Sequence, residues 1–156
     1  MRSSNTFRVR QLRGDDVAVM EAMMTMFGEA FGEVETYTHK RPSAAYLERL
    51  LDSENFIALA ALKDGAVVGG LAAYQLRKFE QERSEIYIYD LAVATAYRRQ
   101  GMATALIEEL KIIAAKRGAY VIYVQADRGD AAAVALYTRL GVAEAVLHFD
   151  IEPNNR

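Results

Sequence analysis

Glu85-Ile86-Tyr87-Ile88-Tyr89-Asp90-Leu91-Ala92-Val93, followed after a short link by Arg98-Arg99-Gln100-Gly101-Met102-Ala103, carries the reading of the whole chain. The first stretch is rich in β-branched and aromatic residues and gives the strongest strand signal in the sequence. The second opens an alanine- and leucine-rich segment, Met102 to Arg117, whose Ala105, Leu106, Glu109, Ile112 and Ile113 fit a half-buried helix. The first turn of a helix has N–H groups without partners and a positive dipole end, so this junction is suited to an anion. Gly101 and Ala103 allow a pyrophosphate close to the backbone, and Arg98 and Arg99 add charge. On these residues alone an ordinary strand–turn–helix junction reads equally well, because short glycine motifs match by chance.

Upstream, Phe7 to Leu12 reads as a first strand. Gly14-Asp15-Asp16 reads as the start of a helix that runs through Val17 to Phe27. Gly28 and Gly32 bracket a loop passing through Glu33, Glu35 and Tyr37 to Pro42, and Ser43 caps a second helix, Ala44 to Leu51. Phe56 to Leu62 and Ala66 to Leu76 flank Asp64-Gly65, a hairpin signal, and Arg77 to Ser84 is a charged turn. Downstream, Gly118 ends the long helix, Tyr120 to Gln125 is a strand, Asp130 to Leu140 a helix closed by Gly141, and Glu144 to Asp150 a last strand. The order β-α-α-β-β-β-α-β-α-β predicts an α/β (α+β) fold, a twisted mixed sheet flanked by about four helices, in a single domain over 1–156.

Hydrophobic residues make up 52% of the 156 and charged residues 26%, enough for a packed core. The absence of cysteine excludes disulfides, thiolate metal sites and a cysteine nucleophile. His39 and His148 show no metal-ligand spacing, so no metal is expected. No apolar run approaches the roughly 20 residues needed to cross a bilayer, and the first residues lack the apolar stretch of a secretory signal. A formal net charge of −2 offers no basic excess for nucleic acid. The expectation is a soluble cytoplasmic protein with neither membrane nor nucleic acid as partner.

Arg98-Arg99-Gln100-Gly101-Met102-Ala103 resembles the Arg/Gln-x-x-Gly-x-Gly/Ala signature of the GCN5-related N-acetyltransferases. Asp90-Leu91-Ala92-Val93 is similar to the strand that precedes it in that family, and Ala133 to Gly141 resembles the family's second motif. Phe56 to Ala61, Lys78 to Gln81, Ser84 to Val93, Gly118 to Asp127 and His148 to Ile151 also resemble the type I aminoglycoside 3-N-acetyltransferases, the gentamicin acetyltransferases. The resemblance implies acetyl-CoA as co-substrate, an aminoglycoside as acceptor and antibiotic resistance as the outcome. A homodimer is a further family-level expectation.

Site roles follow from the resemblance. Backbone groups of Leu91, Ala92 and Val93 pair with the pantetheine arm, and residues from Arg98 to Thr104 hold the pyrophosphate. Tyr137 protonates the leaving thiolate. The family often has asparagine where this chain has Asp130, and a carboxylate cannot donate the amide's hydrogen bond. Asp90 is the candidate base for the acceptor amine, with a structural carboxylate as the alternative. A polycationic acceptor calls for convergent acids, for which Glu33, Asp127, Asp130 and Asp150 are available beside Tyr37 and Tyr89. Two alternatives stand beside this reading: acetylation of a polyamine, peptide or lysine amine, and a non-catalytic acyl-CoA sensor.

Overall fold

The computed structural model describes residues 6–154, and the chain divides into two compact units, 1–125 and 126–156. In the first, strands β1 (Arg8–Gln11), β2 (Phe56–Lys63), β3 (Ala66–Arg77), β4 (Ser84–Val93) and β5 (Ala119–Val124) form one sheet in chain order. Pairing is antiparallel from β1 to β4 and parallel between β4 and β5. A parallel pair requires a long crossover, and helix α4 (Met102–Lys116) supplies it. The β2–β3 hairpin turns on Asp64 and Gly65, both at positive φ (51° and 79°), as the Asp-Gly pair predicts.

The sheet buries both faces of its central strands. Phe56, Ala58, Ala60 and Ala72 pack with Met20, Met23, Met26 and Phe27 of α1 (Val17–Phe31) and with Leu47 and Leu51 of α3 (Ala44–Asp52). Strand alternation sends Ile57, Leu59, Leu71 and Ala73 to the opposite face, where α4 packs on β2, β3 and β4. Ser43 caps α3 as its sequence predicts, its hydroxyl accepting from the Tyr46 N–H at 3.2 Å.

Two expectations are corrected here. The first helix does not stop at Phe27. It runs through Gly28 to Phe31 and ends at Gly32, whose φ of 68° makes the left-handed cap. The predicted loop from Gly28 to Pro42 holds a further helix, α2 (Val34–Thr38), so the described residues contain five α-helices.

The second unit contains α5 (Ala131–Leu140), closed at Gly141 by the bond from its N–H to the Tyr137 carbonyl at 2.9 Å. The strand expected over Glu144 to Asp150 does not form: residues 142–154 have no regular structure. Its alternating apolar pattern supplies one face of a strand, but a strand also needs a ladder partner, and no pairing involves these residues.

Candidate active site

β4 changes its surroundings halfway along. From Ser84 to Ile88 it pairs with β3 on one side and β5 on the other, and the last β5 pair is Ile88 with Val124. At that point the β3 register also shifts: Ala73 faces Ile88 and Ala72 faces Asp90, which leaves Tyr89 as the extra residue of a bulge. Beyond it, Leu91, Ala92 and Val93 keep their β3 partners and have no strand on the other side. The Ala94 N–H donates to Val68 O at 2.8 Å. Alternation along an antiparallel strand therefore turns Ala92 toward β3 and turns Leu91 and Val93 outward. Of the three residues expected to pair with a pantetheine arm, Leu91 and Val93 turn their backbone groups away from β3 to the side that has no strand; Ala92 does not. The outward Val93 carbonyl accepts from Arg98 Nε at 3.2 Å.

The chain then enters α4 through a strained turn. Arg99 sits at φ 63° and Gly101, the N-cap of α4, at φ 81° with no side chain capping the helix. The first bond into the helix runs from the Ala105 N–H to Gly101 O, at 3.0 Å. Among the described residues, the N–H groups of Gly101, Met102, Ala103 and Thr104 have no acceptor. A Cβ added at Gly101 would meet nothing within 4 Å. Met102 buries its side chain and Gln100 buries an unpartnered Oε1. This is a donor set that fits the pyrophosphate of a coenzyme A.

At the bulge the site becomes acidic. The Tyr37 hydroxyl donates to Asp90 Oδ2 at 2.9 Å, across 53 residues of sequence. Burial pushes the Asp90 carboxyl above its ordinary range; the Tyr37 hydrogen bond opposes that push and the nearby Glu33 charge adds to it. The Tyr37 hydroxyl is itself pushed up, by burial first and by Asp90 second. Tyr89 is 63% exposed and meets Tyr74 edge-on at 5.7 Å and Tyr87 at 5.9 Å. Tyr87 stacks on Tyr123 at 4.8 Å and donates to Gln125 Oε1 at 3.0 Å. Glu33, Tyr37, Tyr89 and Asp90 thus come together from two separate segments. The sequence reading missed Tyr74 and Tyr123 of this aromatic row, although their place in strands of alternating pattern was open to view.

The remaining predicted residues belong to the second unit. Asp130 caps α5, its Oδ1 accepting from the Ala133 N–H at 3.1 Å, and its backbone N–H reaches Asp127 O at 3.0 Å. Tyr137 is half-buried, and burial, then the Asp130 charge, raises its hydroxyl above the ordinary tyrosine range. Asp150 faces His148 at 2.8 Å, with both side chains exposed.

Elsewhere, a concavity lined by Phe7, Arg8, Arg10, Val19, Leu62 and Gly65 lies at the hairpin end of the sheet and includes no residue of β4 or of the Gly101 turn. No helix among the described residues is long and apolar enough to cross a membrane.

An aminoglycoside acetyltransferase from an uncultured soil metagenomic sample is 63% identical, with a TM-score of 0.94 over 96% of this chain and 99% of that one. A second such enzyme from soil metagenomic DNA, solved in complex with sisomicin, is 30% identical, with a TM-score of 0.87 over 96% of this chain and 98% of its own. The [ribosomal protein bS18]-alanine N-acetyltransferase of Escherichia coli (strain K12) is 33% identical over 85 residues, which are 54% of this chain and 56% of that enzyme. The chain thus spans little more than half the length of that curated relative. The profile of the acetyltransferase (GNAT) family matches residues 19–142, from α1 through the open edge of β4 to the end of α5. A strand that releases its neighbour and runs into an uncapped helix is what that family's co-substrate needs, and this chain belongs to the acetyltransferase (GNAT) family.

Proposed function

We propose that this acetyltransferase carries the acetyl group of acetyl-CoA to an amine of an aminoglycoside antibiotic, at N3 of the 2-deoxystreptamine ring, and so confers resistance. The observation that carries the acceptor is the 63% identity to an aminoglycoside acetyltransferase over nearly the whole length of both chains. The cluster of Asp90 and Glu33 supports it, because a polyamine sugar is recognised by converging carboxylates.

An amine reaches the site protonated, and Asp90 accepts that proton so that the nitrogen lone pair can attack the thioester carbonyl. The carbon–nitrogen bond forms, the attacking nitrogen gives up its second proton to solvent, the carbon–sulfur bond breaks, and the thiolate leaves. Tyr137 is the proposed proton donor to that thiolate, and its raised hydroxyl stays protonated at neutral pH. Outward backbone groups of Leu91 and Val93 orient the pantetheine arm, and N–H groups from Gly101 to Thr104, with Arg98 and Arg99, hold the pyrophosphate.

The local similarity to a ribosomal-protein alanine acetyltransferase supports a second reading, a peptide α-amine as acceptor. A single experiment separates the two. Thiol release from acetyl-CoA is measured with gentamicin, kanamycin, spermidine and an alanine-ended peptide offered in parallel, and the product is mapped by NMR. Rapid turnover of the 2-deoxystreptamine drugs with acetylation at N3 is expected. Efficient acetylation of the peptide with no drug turned over defeats the resistance reading, and no thiol release with any amine defeats catalysis itself.

A further inference from the structure

α2 has only five residues and no buried side chain, too little to hold a helix on its own. It is held by α1. Gly28 lies inside α1, where glycine is a poor helix former, and a Cβ there would fall 3.0 Å from Val34 Cα and 3.3 Å from Tyr37 Cβ. The missing side chain is what lets α2 lie against α1. The Gly28 carbonyl also accepts from the Glu33 N–H at 2.8 Å, which starts the new helix. Phe27 and Phe31, stacked at 5.8 Å, then flank the Tyr37 ring at 6.1 and 5.9 Å. A phenol gripped in this way has little freedom to swing, and its hydroxyl ends on Asp90 Oδ2.

We propose that Tyr37 is a positioning residue for acetyl transfer: delivered by α2 and clamped by α1, its hydroxyl fixes the Asp90 carboxylate so that Oδ1 faces the acceptor amine. This rests on the reading of Asp90 as the base. Among the described residues Oδ1 has no hydrogen-bond partner and no lysine or arginine pairs with Asp90. The groups that act on Asp90 are Tyr37 and Glu33 from the α2 segment, and Asp90 in turn acts on Tyr37, Tyr74 and Tyr87. Glu33 disfavours the carboxylate; Tyr37 is the group that favours it. The hydroxyl therefore both aims the base and favours its charged form against burial, which assigns Tyr37 to the carboxylate and not to the acceptor sugar.

The test is Tyr37→Phe in the full chain, which keeps the ring and removes one oxygen. With acetyl-CoA and the best amine of the panel above, kcat should fall about 10- to 100-fold near the acidic limb. The limb of the kcat/KM profile should move up by about one pH unit, acetyl-CoA affinity should be unchanged, and the deficit should shrink as pH rises. A profile superimposable on wild type, with only the acceptor KM raised, overturns the proposal and makes Tyr37 a substrate contact. Asp90→Asn separates this from a failure of the base itself. If the acidic limb persists in Asp90→Asn, Asp90 is not the base; if it vanishes there and does not move in Tyr37→Phe, only the positioning role fails.

Discussion

Asp90 is held between burial, which favours its neutral acid, and one phenol, which favours its anion. Its carboxyl lies above the ordinary value of 3.8, so the folded chain binds that proton more tightly than the unfolded chain does. Stability from this group is then full below 3.8 and is lost as pH rises toward the folded value. The charged base is a cost the fold carries at neutral pH. Asp90→Asn should therefore melt at a higher temperature than wild type at pH 7, with the gap closing near pH 4, while turnover falls about 10²- to 10⁴-fold. A lower melting temperature at pH 7 would mean that Asp90 stabilises the bulge. Asp90 was legible in the sequence because a strong strand ends in Asp-Leu-Ala-Val. Tyr37 was expected beside the acceptor acids, but its hold on Asp90 was not legible, since a bond spanning 53 residues leaves no local trace.

Among the elements, those with local signals were read correctly. The Asp64-Gly65 turn, the Ser43 cap and the Gly101 start of α4 each announce themselves within a few residues, and each stands where expected. Gly28 misled because glycine usually ends a helix, whereas here the packing of α2 outweighs its poor propensity. The final strand misled because alternation records a face and not a partner. The turn at Gly101 makes its own prediction. Its φ of 81° resists any β-branched residue, and its open side is where phosphate oxygens would sit. Gly101→Val should weaken acetyl-CoA binding at least tenfold in titration calorimetry while the amine, bound without co-substrate, keeps its affinity. Unchanged acetyl-CoA affinity in a folded variant would take the pyrophosphate away from this turn.

At the scale of the molecule, the class of the fold was legible from the order of elements, whereas the aminoglycoside acceptor was legible only through the family resemblance and not from charge. A mixed sheet with α4 crossing between parallel neighbours follows from the order of elements alone. On the proposed reading the amine is chosen by carboxylates from separate segments, and net charge, −2 here, says little about where they converge. Exposed ion pairs are individually worth about 0–1 kcal/mol, so a polycationic drug must be held by several at once. Raising salt from low to physiological strength should then raise the drug's KM steeply and leave kcat nearly constant. Asp127→Asn should add to that effect. A drug KM indifferent to salt would argue for recognition by shape and stacking, on rings such as Tyr89.

The bulge at Tyr89 stands where β4 loses its β5 neighbour. By parting from β5 after Ile88, β4 leaves Leu91 and Val93 with outward backbone groups that no neighbouring strand covers. Folded proteins usually protect such an edge, because it accepts any extended chain that passes. Here protection would come from a small molecule, since a pantetheine arm lying along the edge closes it as another strand would. On the proposed reading, bound acetyl-CoA covers this edge, and the enzyme between turnovers is the form most open to pairing with another extended chain.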